Sequence, residues 1–497
     1  MNKPQKPYIL TIDQGTTSTR AILFSKDMEI IDVAQKELEL FYPENGWVEQ
    51  DAMMIWSDTV QLCQDVVKKA EIDLFDIAAI GITNQRETVI VWDKKTGKPL
   101  YNAIVWQDRR TADMCRSLAE AGHEDMIREK TGLLIDPYFS ATKIKWILDN
   151  VDKARDKANA GNLLCGTIDA FLIWHLTGGK SHATDATNAS RTQLYNIVED
   201  KWDDELLELF DIPASMLPEV KDNVADFGTT THALFGGHDL KITGVAGDQQ
   251  AAFIGQACFS PGMVKSTYGT GCFALMNIGT TFKSSEHRML TTIGYRLNGR
   301  ITYAFEGSIF IAGAAVQWLR DGIGIIDHAA ESENMAQDLE HNDDVYLVPA
   351  FTGLGAPHWD PEARGIITGI TRNTTRSHLV RAALEAQAYQ TEDLLEAMAK
   401  DAGQPIAELR VDGGMVANNW VCQFLADITG VRVKRPHIIE TTALGAGYLA
   451  GLGVGLFDSI DDITNAWSEE ARFEPKMDEE YRQNLYQGWK TALQRCR

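Results

Sequence analysis

Positive charge is scarce in this 497-residue chain: 47 lysines and arginines stand against 70 aspartates and glutamates, a net charge of −23. Nucleic acid and anionic lipid both require a basic footprint, so neither is expected as a partner. Free nucleotides remain admissible, because backbone N–H groups, an arginine such as Arg20 and a metal ion can neutralise phosphate locally. Cysteine is sparse too; seven residues with no Cys-x-x-Cys pair fit reduced thiols in a cytoplasm rather than a disulfide framework. The one membrane-like stretch, residues 443–457, is uncharged but only 15 residues long, too short to span a bilayer. Its Gly447-x-x-x-Gly451-x-x-x-Gly455 spacing predicts a buried helix in close contact with its neighbours. Residues 1–7 run directly into a strand and leave no room for a secretory segment. Several catalytic patterns are missing. There is no Gly-x-Ser-x-Gly elbow, and no histidine pair has convincing metal-ligand spacing. Gly179-Lys180-Ser181 lacks the P-loop glycine five residues earlier, where Trp174 stands. Gly269-x-Gly271-x-x-Ala274 leads into an alternating strand rather than a helix, which excludes a dinucleotide fingerprint.

What is present is a duplication. Asp13-Gln14-Gly15-Thr16-Thr17-Ser18-Thr19-Arg20 lies between apolar runs at 8–12 and 21–24. Ser266-Thr267-Tyr268-Gly269-Thr270-Gly271 lies between runs at 263–264 and 273–276. Hairpin turns of this composition leave backbone N–H groups free beside small hydroxyls, a nest for phosphate oxygens. Two such nests suggest a phosphate chain gripped from both sides by a two-lobed phosphotransferase. The length also exceeds what one core serves, and the repeat places a boundary that gives domains 1–253 and 254–497. A strand is expected at 30–34, a helix opened by Asp51, strands at 77–83 and 89–92, and helices at 142–148 and 251–257. Ser377 is expected to cap a long helix with Leu379, Ala382, Ala383 and Ala386 on one face. Tyr481, Leu485 and Trp489 form a docking stripe near the end.

The motifs together resemble the carbohydrate-kinase family of the actin and hexokinase superfamily. The likeness runs through residues 12–20, Gly81-Ile82-Thr83-Asn84-Gln85-Arg86-Glu87-Thr88, Ala103-Ile104-Val105-Trp106-Gln107 and Asp136-Pro137-Tyr138-Phe139. It continues in Ala246-Gly247-Asp248-Gln249-Gln250, residues 268–273, 349–357, Val411-Asp412-Gly413-Gly414 and Thr441-Thr442-Ala443-Leu444-Gly445-Ala446. The fold implied is α/β, two duplicated ribonuclease H-like domains with the active site in the cleft between them. Arg86, Glu87, Trp106, Tyr138 and Phe273 are similar to the set found in members that phosphorylate glycerol with ATP and Mg²⁺.

The resemblance makes Asp248 the general base for the acceptor hydroxyl; a helix N-cap before residues 251–257 is the alternative, and both roles are compatible. Asp13 would hold Mg²⁺, with Asp248 as a second carboxylate. Thr16, Thr17, Ser18 and Arg20 would contact phosphates, with Thr270 opposite; ordinary turn chemistry is the alternative for the threonines and a solvated strand position for Arg20. Arg86 offers a donor fork and Glu87 an acceptor, and being consecutive they need a turn to aim both inward. Gln249 would bind a further hydroxyl, Tyr138 would add a phenol, and Trp106 and Phe273 would wall the carbon chain, although either aromatic taken singly is compatible with core packing. Gly414 and Asn418, with Gly313 and Gln317, resemble the adenosine contacts. A pentulose or other polyol kinase and an ATP-driven switch protein remain as alternative functions.

Regulation departs from the family pattern. Gly236-Gly237-His238-Asp239 stands where some members carry a Gly-Gly-Thr-Arg loop for fructose 1,6-bisphosphate, so that control is expected to be absent. His232 lies near the histidine that a phosphotransferase system modifies in other members. A homodimer or homotetramer is what the family implies.

Overall fold

The computed structural model describes residues 7–496; of the stretch read as too short for a secretory segment, residues 1–6 lie outside the described residues. The first half builds a sheet from β1 (Tyr8–Gln14), β2 (Ser18–Ser25), β3 (Ile30–Glu37), β4 (Ile77–Asn84), β5 (Val224–Thr229) and β6 (Lys241–Gly247), in the order β3–β2–β1–β4–β6–β5. The first three strands are an antiparallel meander; β4 and β6 run parallel to β1, and β5 returns antiparallel at the edge. The second half repeats this plan with β7 (Met263–Tyr268), β8 (Cys272–Gly279), β9 (Leu290–Leu297), β10 (Arg300–Ile309), β11 (Glu408–Asp412), β12 (Val433–Pro436) and β13 (Glu469–Phe473). Its order is β9–β10–β8–β7–β11–β12–β13, again with parallel pairings of β7, β11 and β12 and an antiparallel edge. The one addition is β9, outside the meander.

Between the sheets lie α1 (Asp248–Gly255) and α2 (Thr441–Gly453), one helix from each half. α2 rests on the first sheet: a Cβ added to Gly81 would meet the Ala446 carbonyl oxygen at 2.3 Å, and one on Gly244 the Ala450 nitrogen at 2.4 Å. α1 faces the second sheet, with Phe253 beside Tyr295 and Gly294. Ile9, Phe24, Ala251, Phe253, Leu275, Ala304, Leu444 and Leu449 make one continuous core through this joint. The buried helix expected at 443–457 is present, but a different glycine makes its closest approach. Gly445 sits so near α1 that a Cβ would lie 1.8 Å from the Ala251 carbonyl oxygen, whereas Gly447 faces Met28, Thr11 and Phe24, Gly451 faces Phe457, and Gly455 lies beyond the helix end. Among the described residues no helix is long and apolar enough to cross a membrane.

Asp51 opens its helix as expected, accepting from the Met53 and Met54 amides. Three other expectations need correction. The long helix Arg376–Ala402 is capped by Thr375, not Ser377: Thr375 is still extended, and its N–H donates to His378 Nδ1 at 3.1 Å. Nor does that helix bury one face only, since every residue from 380 to 391 is buried beneath elements on all sides. The C-terminal helix Glu479–Cys496 docks, but Tyr481 is exposed; Tyr486 and Trp489 turn inward and donate to the two oxygens of Asp393 at 2.6 and 2.9 Å.

Candidate active site

The first nest is the turn between β1 and β2. Gly15 N–H donates to the Ser18 carbonyl at 2.9 Å, closing the turn, while the amides of Thr16 and Thr17 have no protein partner among the described residues. The turn between β7 and β8 is closed in the same way by Gly269 N–H to the Gly271 carbonyl at 2.9 Å, with the Thr270 and Gly271 amides likewise left over. Unpaired backbone donors beside small hydroxyls are what an anion needs. A chain of contacts runs from the strand after the first turn to the strand before the second. Arg20 is held by Asp13 and by Glu440, each at 2.5 Å. The next residue, Thr441, donates to Asp412 Oδ2 at 2.9 Å, and Asp412 lies opposite Thr267 in the β7–β11 register.

Asp13 is the penultimate residue of β1 and is 4% exposed. Burial raises its pKa above the ordinary aspartate value, against the pull of Arg20. Burial likewise raises Asp248, opposed by Arg86 and Lys265, with the Asp13 charge adding to the rise. A buried carboxylate, Asp13, and a part-exposed one, Asp248, that feel one another fit a divalent cation, and Mg²⁺ is typically held by one or two carboxylates plus substrate phosphates. Among the described residues no larger group of His, Cys, Asp and Glu forms a metal cage.

Asp248 is the first residue of α1, not its N-cap, which is Gly247. Its Oδ1 accepts from the Gln249 amide at 2.7 Å and lies 3.1 Å from Arg86 Nε. Arg86 and Glu87 follow the C-terminal end of β4 in a tight turn, closed by Thr88 N–H to the Arg86 carbonyl at 2.7 Å with Glu87 at φ 61°. That left-handed residue swings both side chains inward, as their adjacency requires. Trp106 donates from Nε1 to Thr16 Oγ1 at 2.8 Å, joining the aromatic wall to the first nest, and its ring meets Tyr138 edge-on at 5.5 Å. The Tyr138 hydroxyl lies 3.4 Å from Arg86 Nη2. Phe273 is half-buried on β8, opposite Thr267.

Four functional-looking residues escape sequence reasoning. Glu306 on β10 receives Arg86 Nη1 at 2.6 Å and Nη2 at 3.0 Å, and Arg191 Nη2 at 3.1 Å. Arg191 in turn donates from Nε to Glu87 Oε1 at 2.6 Å. Burial of Glu306 is outweighed by these two guanidiniums, which hold its carboxyl at about 2. Lys265, fully buried on β7, donates to Gln249 Oε1; burial lowers its pKa, with Asp412 and Asp248 opposing. Glu440 completes the set. The available signal was a lone charge in an apolar strand: Glu306 follows Tyr303, Ala304 and Phe305, and Lys265 follows Met263 and Val264.

On the far side, Gly313 N–H donates to the Gly269 carbonyl at 2.9 Å, and Met415 comes within reach of Gly313. Gly413 adopts φ 94° against the Tyr268 backbone, where any Cβ would collide at 2.4 Å. Gly414 beside it is exposed and faces open space. Asn418 caps the helix Asn419–Thr429 through the Val421 amide, and Gln317 is exposed at the end of Gly313–Gln317. His232 is 76% exposed, with Nδ1 3.3 Å from Asp239 Oδ1.

Known proteins share this architecture. The FGGY family of carbohydrate kinases matches twice, its N-terminal domain over residues 8–255 and its C-terminal domain over 264–454. Glycerol kinase from Alcanivorax borkumensis is 59% identical over 98% of both chains, and that of Ectopseudomonas mendocina 58% over 99% of both. The solved glycerol kinase of Plasmodium falciparum with ADP superposes with a TM-score of 0.94 at 39% identity over 98% of each chain. A xylulose kinase from Lactobacillus acidophilus, covering 98% of this chain and 97% of its own at 23% identity, shares the fold with a TM-score of 0.87. The fold is therefore the expected pair of duplicated actin/hexokinase-like domains. The chain belongs to the FGGY family of carbohydrate kinases, among its glycerol kinases.

Proposed function

We propose that the chain transfers the γ-phosphoryl group of ATP to glycerol, forming sn-glycerol 3-phosphate and ADP. The observation that carries this reading is the wall made by Arg86, Glu87 and Asp248. Asp248 has one oxygen engaged by Arg86 and the Gln249 amide, and Oδ2 has no protein partner among the described residues. Glu87 similarly spends Oε1 on Arg191 and keeps Oε2. Two spare carboxylate oxygens suit a small polyol, with Arg86 holding Asp248 in place, Tyr138 and Gln249 as further polar contacts and Trp106 and Phe273 covering its carbons.

Phosphoryl transfer is mostly positioning and charge stabilisation. In our reading Asp248 Oδ2 accepts the proton of the attacking hydroxyl as that oxygen bonds to phosphorus and the bond to the ADP oxygen breaks. The free amides of Thr16, Thr17 and Thr270, the Ser18 hydroxyl and Arg20 steady the phosphates. Mg²⁺ would be held by Asp13 and Asp248 and would neutralise charge on the phosphates. Gly313, Gln317, Gly414 and Asn418 would cradle the adenosine, with the exposed Gly414 letting it lie on backbone. We assign residues 1–253 to acceptor and phosphate binding and 254–497 to the nucleotide. The decisive test is ADP release from ATP and Mg²⁺ with glycerol, D-xylulose, D-gluconate or no acceptor; release that ignores glycerol would overturn the reading.

The same reading places the protein in the cytoplasm as a homodimer or homotetramer, which its mass in solution checks. It also makes exposed His232 the point at which a phosphotransferase-system carrier would modify it. Incubation with a phosphorylated carrier followed by mass spectrometry tests that assignment, and an unmodified His232 would refute it.

A further inference from the structure

Arg86 has no free edge. Its Nε faces Asp248, Nη1 and Nη2 are both taken by Glu306, and Gln250 and Tyr138 stand at 3.3 and 3.4 Å. The side chains of Arg86 and Glu306 are 2% and 3% exposed. The partners come from opposite lobes: Arg86 follows β4 in the first sheet, whereas Glu306 sits on β10, opposite Leu275 and Leu290 in the second.

Stability alone accounts poorly for such an arrangement, because replacing a buried ion pair by apolar groups is often neutral or favourable, and fixing geometry is its better-attested use. Arg86 and Arg191 balance Glu87 and Glu306, so the carboxylate from the second lobe leaves Asp248 to share Arg86 through Nε alone, with the buried Lys265 as its other cation. Without the Glu306 charge, Arg86 would be free to turn its fork onto both oxygens of Asp248 and occupy the one left for a proton.

We propose that Glu306 is a positioning residue for the acceptor site: a carboxylate supplied by the second lobe that fixes the Arg86 fork and ties assembly of the site to the arrangement of the lobes. This rests on the glycerol-kinase reading above. Glu306 acts through Arg86 and need not touch the acceptor.

The experiment compares the full chain with Glu306→Gln and Glu306→Asp, varying glycerol and ATP independently. Loss of a charge-assisted hydrogen bond sets the expected scale, a rise of about 10- to 100-fold in KM for glycerol. KM for ATP should stay within about threefold, since the nests are untouched. Glu306→Asp keeps the charge one methylene short, so its rise in glycerol KM should be the smaller of the two; it also serves if the Gln variant fails to fold. A glycerol KM within about twofold of the parent in both variants would overturn the proposal and leave Glu306 a structural pair. Failure of the underlying reading looks different: the parent itself would then show no glycerol-dependent turnover. A parent that prefers another polyol leaves the Glu306 comparison intact with that acceptor.

Discussion

Replacing Asp248 by asparagine separates chemistry from binding. The shape is kept and Oδ1 still accepts from the Gln249 amide, now 2.7 Å away. The oxygen with no protein partner becomes an NH₂ group that cannot take a proton. General base catalysis is worth about 10²- to 10⁴-fold, so kcat should fall by that factor, about 2.7 to 5.4 kcal/mol of barrier at 1.36 kcal/mol per decade. KM for ATP should change little. The same substitution should stabilise the fold at neutral pH. Asp248 has its pKa raised in the folded chain, chiefly by burial. For an acid raised in this way the native state binds more protons than the unfolded chain between the two pKa values. Stability is therefore lost as pH rises through that window, and Asp248→Asn is spared the loss. Steady-state ADP release and thermal unfolding at pH 7 and near pH 4 make the assay, with the gain in Tm shrinking at the lower pH. A variant that retains most of its turnover, or that unfolds at a lower Tm at pH 7, would refute the role assigned to Asp248.

Three further outcomes are expected. Trp106→Phe keeps an aromatic wall but deletes the bond to Thr16 Oγ1, which at about 0.5–1.5 kcal/mol should cost roughly 2- to 13-fold in kcat/KM; Trp106→Ala should abolish glycerol turnover, and normal kinetics in the alanine variant would refute the pocket. Gly445→Ala forces a methyl to within 1.8 Å of the Ala251 carbonyl, so the denaturation midpoint should drop by the equivalent of about 1–3 kcal/mol or more, and an unchanged midpoint would show that α1 and α2 yield freely. Glu306→Gln should raise the glycerol KM selectively, as described above.

Local signals carried the sequence reading a long way. The two hairpin turns, the inward turn at Arg86-Glu87 and the helix behind Asp51 all depend on residues within a few positions of one another, where turn chemistry and periodicity act. What stayed hidden is long-range. Glu306 meets Arg86 across 220 positions and Glu440 meets Arg20 across 420. Neither spacing nor composition encodes a partner at that distance; the strand holding Glu306 shows only a charge among apolar neighbours. The cap at Thr375 was missed for the opposite reason. Threonine and serine lie two residues apart, and only the reciprocal bond from His378 distinguishes them. The stripe at 447, 451 and 455 marks a buried, closely packed helix, as found, but the period does not say which neighbour each glycine meets or that Gly445 comes closest.

The pair of helices between the sheets has a consequence for how this protein can be divided. Each sheet is roofed by a helix belonging to the other stretch of sequence. Cutting the chain near residue 255 therefore does not release two finished bodies: the first piece keeps its strands but leaves Gly81 and Gly244 facing solvent, and the second carries away the helix that fitted over them. The repeat is visible in the topology, yet its halves have become mutually dependent, like clasped hands.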